Sequence, residues 1–341
     1  MSCGERAGAT SGGPAAGGAA SGGAANGGVT SAGTSNGAAA GEAGADSGGA
    51  GGESAECECS PLEFCRKGSC VACSDVDGAK FAVPKKLGIS GRYPRPSANG
   101  ELFYADDGVI KFAFADDAAP LAVVGGSESR DTAPLLVRGL DALLPNQNFF
   151  FLRSDASGIS LRGAYWINSA PPMLTKVSEG PSLLGSPDGL NYSLAISGEA
   201  ARAWWRTTRA DLPGMVSASL TGDGSDIIAV GIDIAVGKQR CRASEMDPTA
   251  WVTPDGRLLL FRESIVDEAC AHPLGFSTDL YAVSVDPAGG IALGPAALLG
   301  VFPGGNARDS DPAFGADCSL YFSSDAATSG VYELYRAERL E

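Results

Sequence analysis

The sequence predicts an all-β chain, a six-bladed β-propeller preceded by a disordered low-complexity tail and a small disulfide-rich segment. Three observations carry this prediction. The first 55 residues offer nothing from which a core could be built. Five of the nine cysteines then crowd into the next 20 positions. From residue 76 onward, short apolar runs alternate with Gly, Pro, Asn and Asp at a recurring period.

Between Met1 and Ala55 stand 18 Gly, 16 Ala and 7 Ser, with Val29 the one large aliphatic residue and no aromatic. Ordering a residue costs roughly 1–2 kcal/mol of backbone entropy, and this stretch has almost no apolar surface to bury in return. Residues 1–55 therefore read as a disordered Gly/Ala/Ser-rich tether with a root-mean-square span of roughly 40 Å. Helix is a poor alternative, because Gly interrupts the Ala runs every few residues at about 1 kcal/mol each.

The formal net charge of −15 repels phosphate backbones and anionic headgroups, which argues against nucleic acid as a partner. No apolar run approaches the roughly 20 residues of a spanning helix, and no basic start followed by an apolar core marks a signal peptide. The opening Met1-Ser2-Cys3-Gly4, followed by the long tether, resembles the cleavage site of a bacterial lipoprotein signal. That resemblance implies lipidation at Cys3, an upstream signal absent from the sequence, and membrane attachment only through the lipid. An ordinary thiol in a disordered tail is the alternative. Without Cys3, eight cysteines remain, enough for four bridges. The expected location is the bacterial cell envelope or the extracellular space, where disulfides persist.

The second segment, 56–75, holds Cys57, Cys59, Cys65, Cys70 and Cys73 in the spacing C-x-C-x5-C-x4-C-x2-C. Structural zinc normally takes two spaced pairs of Cys or His, and five cysteines without a histidine fit disulfides better. Too short for a core, such a segment would be stabilised by bridges that restrict the unfolded chain. It resembles the small Cys-rich knots that stand between linker and folded domain in bacterial surface lipoproteins.

The third segment, 76–341, carries the repeats. Six times a small or polar turn precedes an apolar strand: at Asn99-Gly100 before Leu102-Phe103-Tyr104, Asn146-Gln147 before Phe149-Phe150-Phe151, and Asp188-Gly189 before Leu190-Asn191-Tyr192. The series continues at Asp223-Gly224, at Asp255-Gly256 before Leu258-Leu259-Leu260-Phe261, and at Asp317-Cys318 before Leu320-Tyr321-Phe322. Asn-Gly and Asp-Gly supply the positive φ angles of tight hairpins. Further strands such as Asp279–Val285 and Tyr332–Ala337 bring each unit to three or four strands, a propeller blade. Turn-to-turn spacings of 47, 42, 35, 32 and 62 residues lie mostly near a blade's period, giving six blades. The last unit lacks an outer strand, which Lys80–Val83 is expected to supply.

Two stretches, Asp247-Pro248 through Val285 and Asp311-Pro312 through Arg339, place D-P, a turn, L-L-L-F or L-Y-F-S, and D-L-Y or E-L-Y in one order. In this they resemble the WD40-like repeat of TolB-type propellers. The earlier units depart from it, at Asn146-Gln147 and at Ala203-Trp204-Trp205-Arg206. That resemblance implies the propeller fold over about residues 80–341.

Candidate chemistry is sparse. His272, the one histidine, lies in a loop-like Cys-Ala-His-Pro-Leu-Gly context, and no G-x-S-x-G element occurs. Ser186-Pro187-Asp188-Gly189 is similar to the Asp-box turn of sialidases, but its Trp is displaced by a residue and no arginine cluster accompanies it; an ordinary blade hairpin explains it better. The carboxylates at Asp309-Ser310-Asp311 and Asp223–Asp226 match no EF-hand spacing and suit turn capping better than calcium. Trp204, Trp205 and Arg206 are the ligand-contact candidates, with one tryptophan at most on a binding rim, because neighbours on a strand face opposite sides. Cys241 and Cys270 are expected to pair, and Cys318 to join the odd cysteine of the knot.

The expected function is non-enzymatic: an envelope-displayed, monomeric propeller that binds a protein or glycan partner, with no cofactor, metal or catalytic residue assigned. A glycan-active propeller enzyme using channel carboxylates is the alternative. Propellers host many unrelated functions, so the site must decide.

Overall fold

The computed structural model describes residues 58–66, 68–76, 78–97, 100–114, 121–124, 129–140, 143, 147–156, 158–167, 173–175, 177–179, 191–207, 214–220, 230–232, 250–265, 277–301 and 307–340. The chain divides at Gly52, and all described residues belong to the unit Glu53–Glu341. Cys3, Cys57, Cys241, Cys270 and His272 lie outside the described residues.

Among the described residues, five four-stranded antiparallel sheets form the propeller. From the inner strand outward, the first blade is Arg92–Pro96, Glu101–Asp106, Val109–Phe114 and Leu121–Val124, and the second is Arg130–Leu136, Phe149–Asp155, Gly158–Ala164 and Ser178–Glu179. The third is Asn191–Ser197, Arg202–Thr207, Gly214–Ser219 and Val230–Ile232. The fourth is Ala250–Val252, Leu258–Ile265, Ser277–Ser284 and Ala297–Leu298. The fifth joins Asp309–Phe314, Leu320–Thr328 and Val331–Ala337 to Lys85–Ser90 from the start of the domain. The inner strands touch one another in a closed cycle and so surround the axis.

Five blades replace the six expected from the repeats. The turn signals at 188–189 and 222–224 fall to one blade: the first precedes its inner strand, Asn191–Ser197, and the second its outer strand, Val230–Ile232. The turn that truly separates the first two strands of this blade is Gly198-Glu199-Ala200-Ala201, which has no Asp-Gly. The left-handed turn residues Gly100, Ala201, Gly256 and Cys318 are equivalent, with φ of 89°, 46°, 72° and 60°. Ala201 and Cys318 thus occupy a position where glycine is the residue without steric cost.

Each blade is buried on both faces, which explains its unbroken apolar runs. Phe149 and Phe151 pack against Phe103, Phe112 and Trp166, between the first and second blades. Phe150 and Leu152 face the third blade. Leu259 and Phe261 likewise meet the third blade, while Leu258 and Leu260 meet the fifth. The seam between the fifth and first blades has the smallest cluster, built from Leu102, Tyr104, Ala113 and Leu334.

Ring closure comes from Lys85–Ser90, pairing with Val331–Ala337, and not from Lys80–Val83. The earlier stretch runs along the last residues instead: Ala82 N–H donates to Glu338 at 2.8 Å and Leu340 N–H to Lys80 at 2.8 Å. Pro84, without an N–H to give, separates the two stretches.

Candidate ligand-binding site

The Cys-rich segment docks onto the turn end of the propeller. Glu63–Arg66 and Ser69–Ala72 form its hairpin, Cys59 is bonded to Cys70, and Cys65 is also disulfide-bonded. Cys73 is bonded to Cys318 in the first turn of the fifth blade. Leu62 N–H donates to the Ala316 carbonyl at 2.6 Å. The Arg339 guanidinium lies 4.1 Å from the Phe64 ring centre and donates to the Cys73 carbonyl at 3.1 Å.

Beneath this hairpin lies a cavity of about 470 Å³. Every blade contributes the end of its inner strand: Pro96 and Ser97, Leu135 and Val137, Ile196, Trp251 and Val252, and Phe314. Equivalent positions from five blades converge only on the axis, so the cavity is the channel mouth. Pro61 and Leu62 of the knot line it as well. They form the centre of a turn in which Glu63 N–H reaches the Ser60 carbonyl at 3.0 Å, with Leu62 at φ 66°. A bulky residue in the left-handed region is an outlier of the kind that gathers at functional sites. At the wall, a Cβ on Gly198 would stand 1.5 Å from the Arg138 carbonyl oxygen, so only glycine lets the second and third blades approach there.

The charged groups of the cavity are Arg138 and Glu199, both exposed, and Arg95, which is 4% exposed. Arg95 Nη1 donates to the carbonyls of Pro94, Asp311 and Pro312 at 2.9, 3.1 and 3.3 Å, and Nη2 to Ala250 at 3.1 Å. Three blades are thereby stitched at the axis. Burial pulls Arg95 down to about 10, with Asp311 and Tyr93 opposing.

A second polar cluster sits at the seam of the fifth and first blades. Arg92 grips Asp311 through Nε at 3.1 Å and Nη2 at 3.2 Å, and its guanidinium lies 4.8 Å from the ring centres of both Tyr93 and Tyr332. Tyr93 N–H and the Ser323 hydroxyl also donate to the Asp311 carboxylate. Burial alone would raise Asp311; the charges of Arg92 and Arg262 and these hydrogen bonds outweigh it and hold the carboxyl at about 2. Asp309 is different. Burial pushes it up to about 7, against a hydrogen bond from Ser324 and with help from Asp279 and Asp325. Asp131 accepts both donors of Arg153 at 2.7 Å. Among the described residues no three His, Cys, Asp or Glu are grouped to hold a metal ion.

Trp204 and Trp205 are 0% and 4% exposed. They point to opposite faces of the third blade, Trp204 toward the fourth and Trp205 toward the second. Both rings are core, and neither is among the cavity's lining residues; the Arg206 side chain lies outside the described residues. Arg95, which does line the cavity, was not singled out from sequence. Its signal is Arg92-Tyr-Pro-Arg95-Pro, two arginines in a proline-bearing strand of an acidic chain.

No family model matches the chain, and no curated protein matches it. Solved structures do. TolB from Acinetobacter baumannii is 13% identical with a TM-score of 0.39, over 73% of this chain and 51% of that one. An endo-arabinase from Bacteroides thetaiotaomicron is 13% identical with a TM-score of 0.45, over 77% and 98%. XC5397 from Xanthomonas campestris, a gluconolactonase, is 13% identical with a TM-score of 0.37, over 72% and 71%. The chain thus spans about half the length of the TolB chain it matches. These are likenesses of fold alone, to proteins of differing activity.

Proposed function

We propose that this chain is a non-enzymatic, envelope-displayed, monomeric propeller of the WD40-like TolB type that binds a ligand or partner at its axial cavity, held out from the membrane on a tether lipidated at Cys3. One observation carries the reading: five blades and the knot together enclose a cavity of about 470 Å³, a size usual for small-molecule sites, with mostly apolar walls and a few polar groups. Its walls are rigid strand ends, which favours binding without rearrangement.

The glycan-active alternative needs carboxylates within reach of a substrate. Asp131, Asp309 and Asp311 gather on the inner strands, yet they are 0%, 2% and 0% exposed, and each is engaged by a protein partner. That engagement favours binding over hydrolysis. Native mass spectrometry of protein extracted from envelopes tests the reading. The expected result is a lipidated Cys3 and a bound mass that is lost in Ala316→Trp, whose indole fills the cavity. Release of reducing sugar from a glycan panel would overturn it.

A further inference from the structure

We infer that the axial cavity takes a ligand with an apolar body and one carboxylate, and that Arg95 is the partner of that carboxylate. The inference rests on the cavity being a binding site and adds the chemical class of its ligand.

The first ground is an uncompensated charge. Arg95 is 4% exposed, and its described partners are neutral backbone carbonyls. No described carboxylate comes within ion-pair distance of it. The Asp311 carboxylate, which acts on Arg95 through space, is taken by Arg92, and Glu101 accepts from Ser97. Glu199 stands on the exposed rim. A buried cation paired only with dipoles is costly, and an anion beside it removes much of that cost.

The second ground is donor geometry. Three carbonyls occupy Nη1 and one occupies Nη2, while Nε has no acceptor. Nε and Nη2 share the edge of the guanidinium by which Arg92 holds Asp311, and Nε, itself buried, is the donor on that edge left without an acceptor. Arg95 is prevented from turning away by its four carbonyl bonds.

The third ground is the wall. Leu135, Val137, Ile196, Val252, Trp251 and Phe314 surround the volume next to Arg95. Such a lining accepts an aliphatic or aromatic body and has little to offer a polyhydroxylated sugar, which would leave hydroxyls without partners.

The test uses 4-phenylbutanoate and its amide, titrated into the full chain at neutral pH and read by calorimetry and by the change in total tryptophan fluorescence, to which Trp251 at the cavity wall contributes. The acid is expected to bind on the order of tenfold or more tighter than the amide, the increment of a charge-assisted hydrogen-bonded pair. Arg95→Met is expected to abolish the preference, and Ala316→Trp to weaken both probes. The acid–amide comparison needs no variant, so misfolding of Arg95→Met does not blunt it. Equal binding of acid and amide, both weakened by Ala316→Trp, would overturn the carboxylate inference and leave the cavity as a site. Binding of neither probe would overturn the site and the inference together.

Discussion

Arg92 and Asp311 face each other across the seam where the last blade meets the first, with the carboxylate fully buried and the guanidinium held between two tyrosine rings. This seam has the smallest apolar cluster of the ring, so the ion pair reinforces the interface where burial contributes least. Removing Asp311 leaves the Arg92 guanidinium without its carboxylate. Asp311→Ala is therefore expected to destabilise the protein by about 3–5 kcal/mol. Urea unfolding checks it, and a loss below about 1 kcal/mol would mean that the pair does not hold the seam.

Asp311 and Asp309, two positions apart on the inner strand of the fifth blade, give opposite pH dependences. Asp311, held at about 2, contributes stability that is present above the unfolded carboxylate value near ~4 and is lost as pH falls toward 2. Asp309, pushed up to about 7, keeps its proton in the folded state where the unfolded chain has lost it. Its contribution is full below ~4 and disappears as pH rises through 7. Asp309→Asn, which cannot ionise, is expected to flatten the decline between about pH 4 and 7 and to be roughly 2–4 kcal/mol more stable above it. Urea midpoints across that range, compared with the parent, decide; an unchanged slope would refute the assignment.

Cys318 combines a bridge with a backbone conformation suited to glycine. Breaking Cys73–Cys318 opens a loop of 245 residues, for which the chain-entropy relation gives about 5.5 kcal/mol as an upper figure. With Cys73→Ser as background, Cys318→Gly is expected to retain about 1 kcal/mol more stability than Cys318→Ala, because φ of 60° penalises a Cβ. Thermal melts of the two double variants separate the bridge from the turn.

Ala201 tests the five-blade register. If its turn is the equivalent of Gly100 and Gly256, Ala201→Gly is expected to stabilise by up to about 1 kcal/mol even though glycine is usually unfavourable. Destabilisation would contradict the left-handed geometry at this turn.

Leu62 tests the roof of the cavity. Leu62→Gly removes both the strained φ and the side chain over the opening. The melting temperature is expected to hold or rise while 4-phenylbutanoate dissociates several-fold faster by stopped flow, since a roof acts mainly on the off-rate.

Much of the propeller was legible because sheets buried on both faces write themselves as runs such as Phe149-Phe150-Phe151-Leu152 and Leu258-Leu259-Leu260-Phe261. Blade boundaries were harder. Asp-Gly marks a positive φ wherever one is needed, and the third blade carries such signals before its first and its last strand while its own first turn uses Ala201. Another repeat was concealed by its variable residue. Tyr93-Pro94, Ala133-Pro134 and Asp311-Pro312 each bulge an inner strand with a left-handed residue before proline, but only the last spells Asp-Pro. The cavity left no motif, because it is assembled from unremarkable Leu, Val, Pro and Phe at strand ends that come together only when the ring closes. A binding rim was expected to take one at most of Trp204 and Trp205; both rings lie in the interblade core, where a strand sandwiched between two neighbours has no free face.

The Cys73–Cys318 bond also fixes how mechanical load would travel. A pull entering from the N-terminal side meets the Cys59–Cys70 hairpin and passes through the bond straight into the first turn of the last blade. The segment after Cys73, with the closing strand Lys85–Ser90, is bypassed and stays slack. Hydrogen bonds at that strand would otherwise open one after another like a zip under tension. While the bond is intact the ring is shielded from a pull applied on its N-terminal side; once it is reduced, the load passes to the contacts of Lys80 and Ala82 with Leu340 and Glu338 and then to the closing strand.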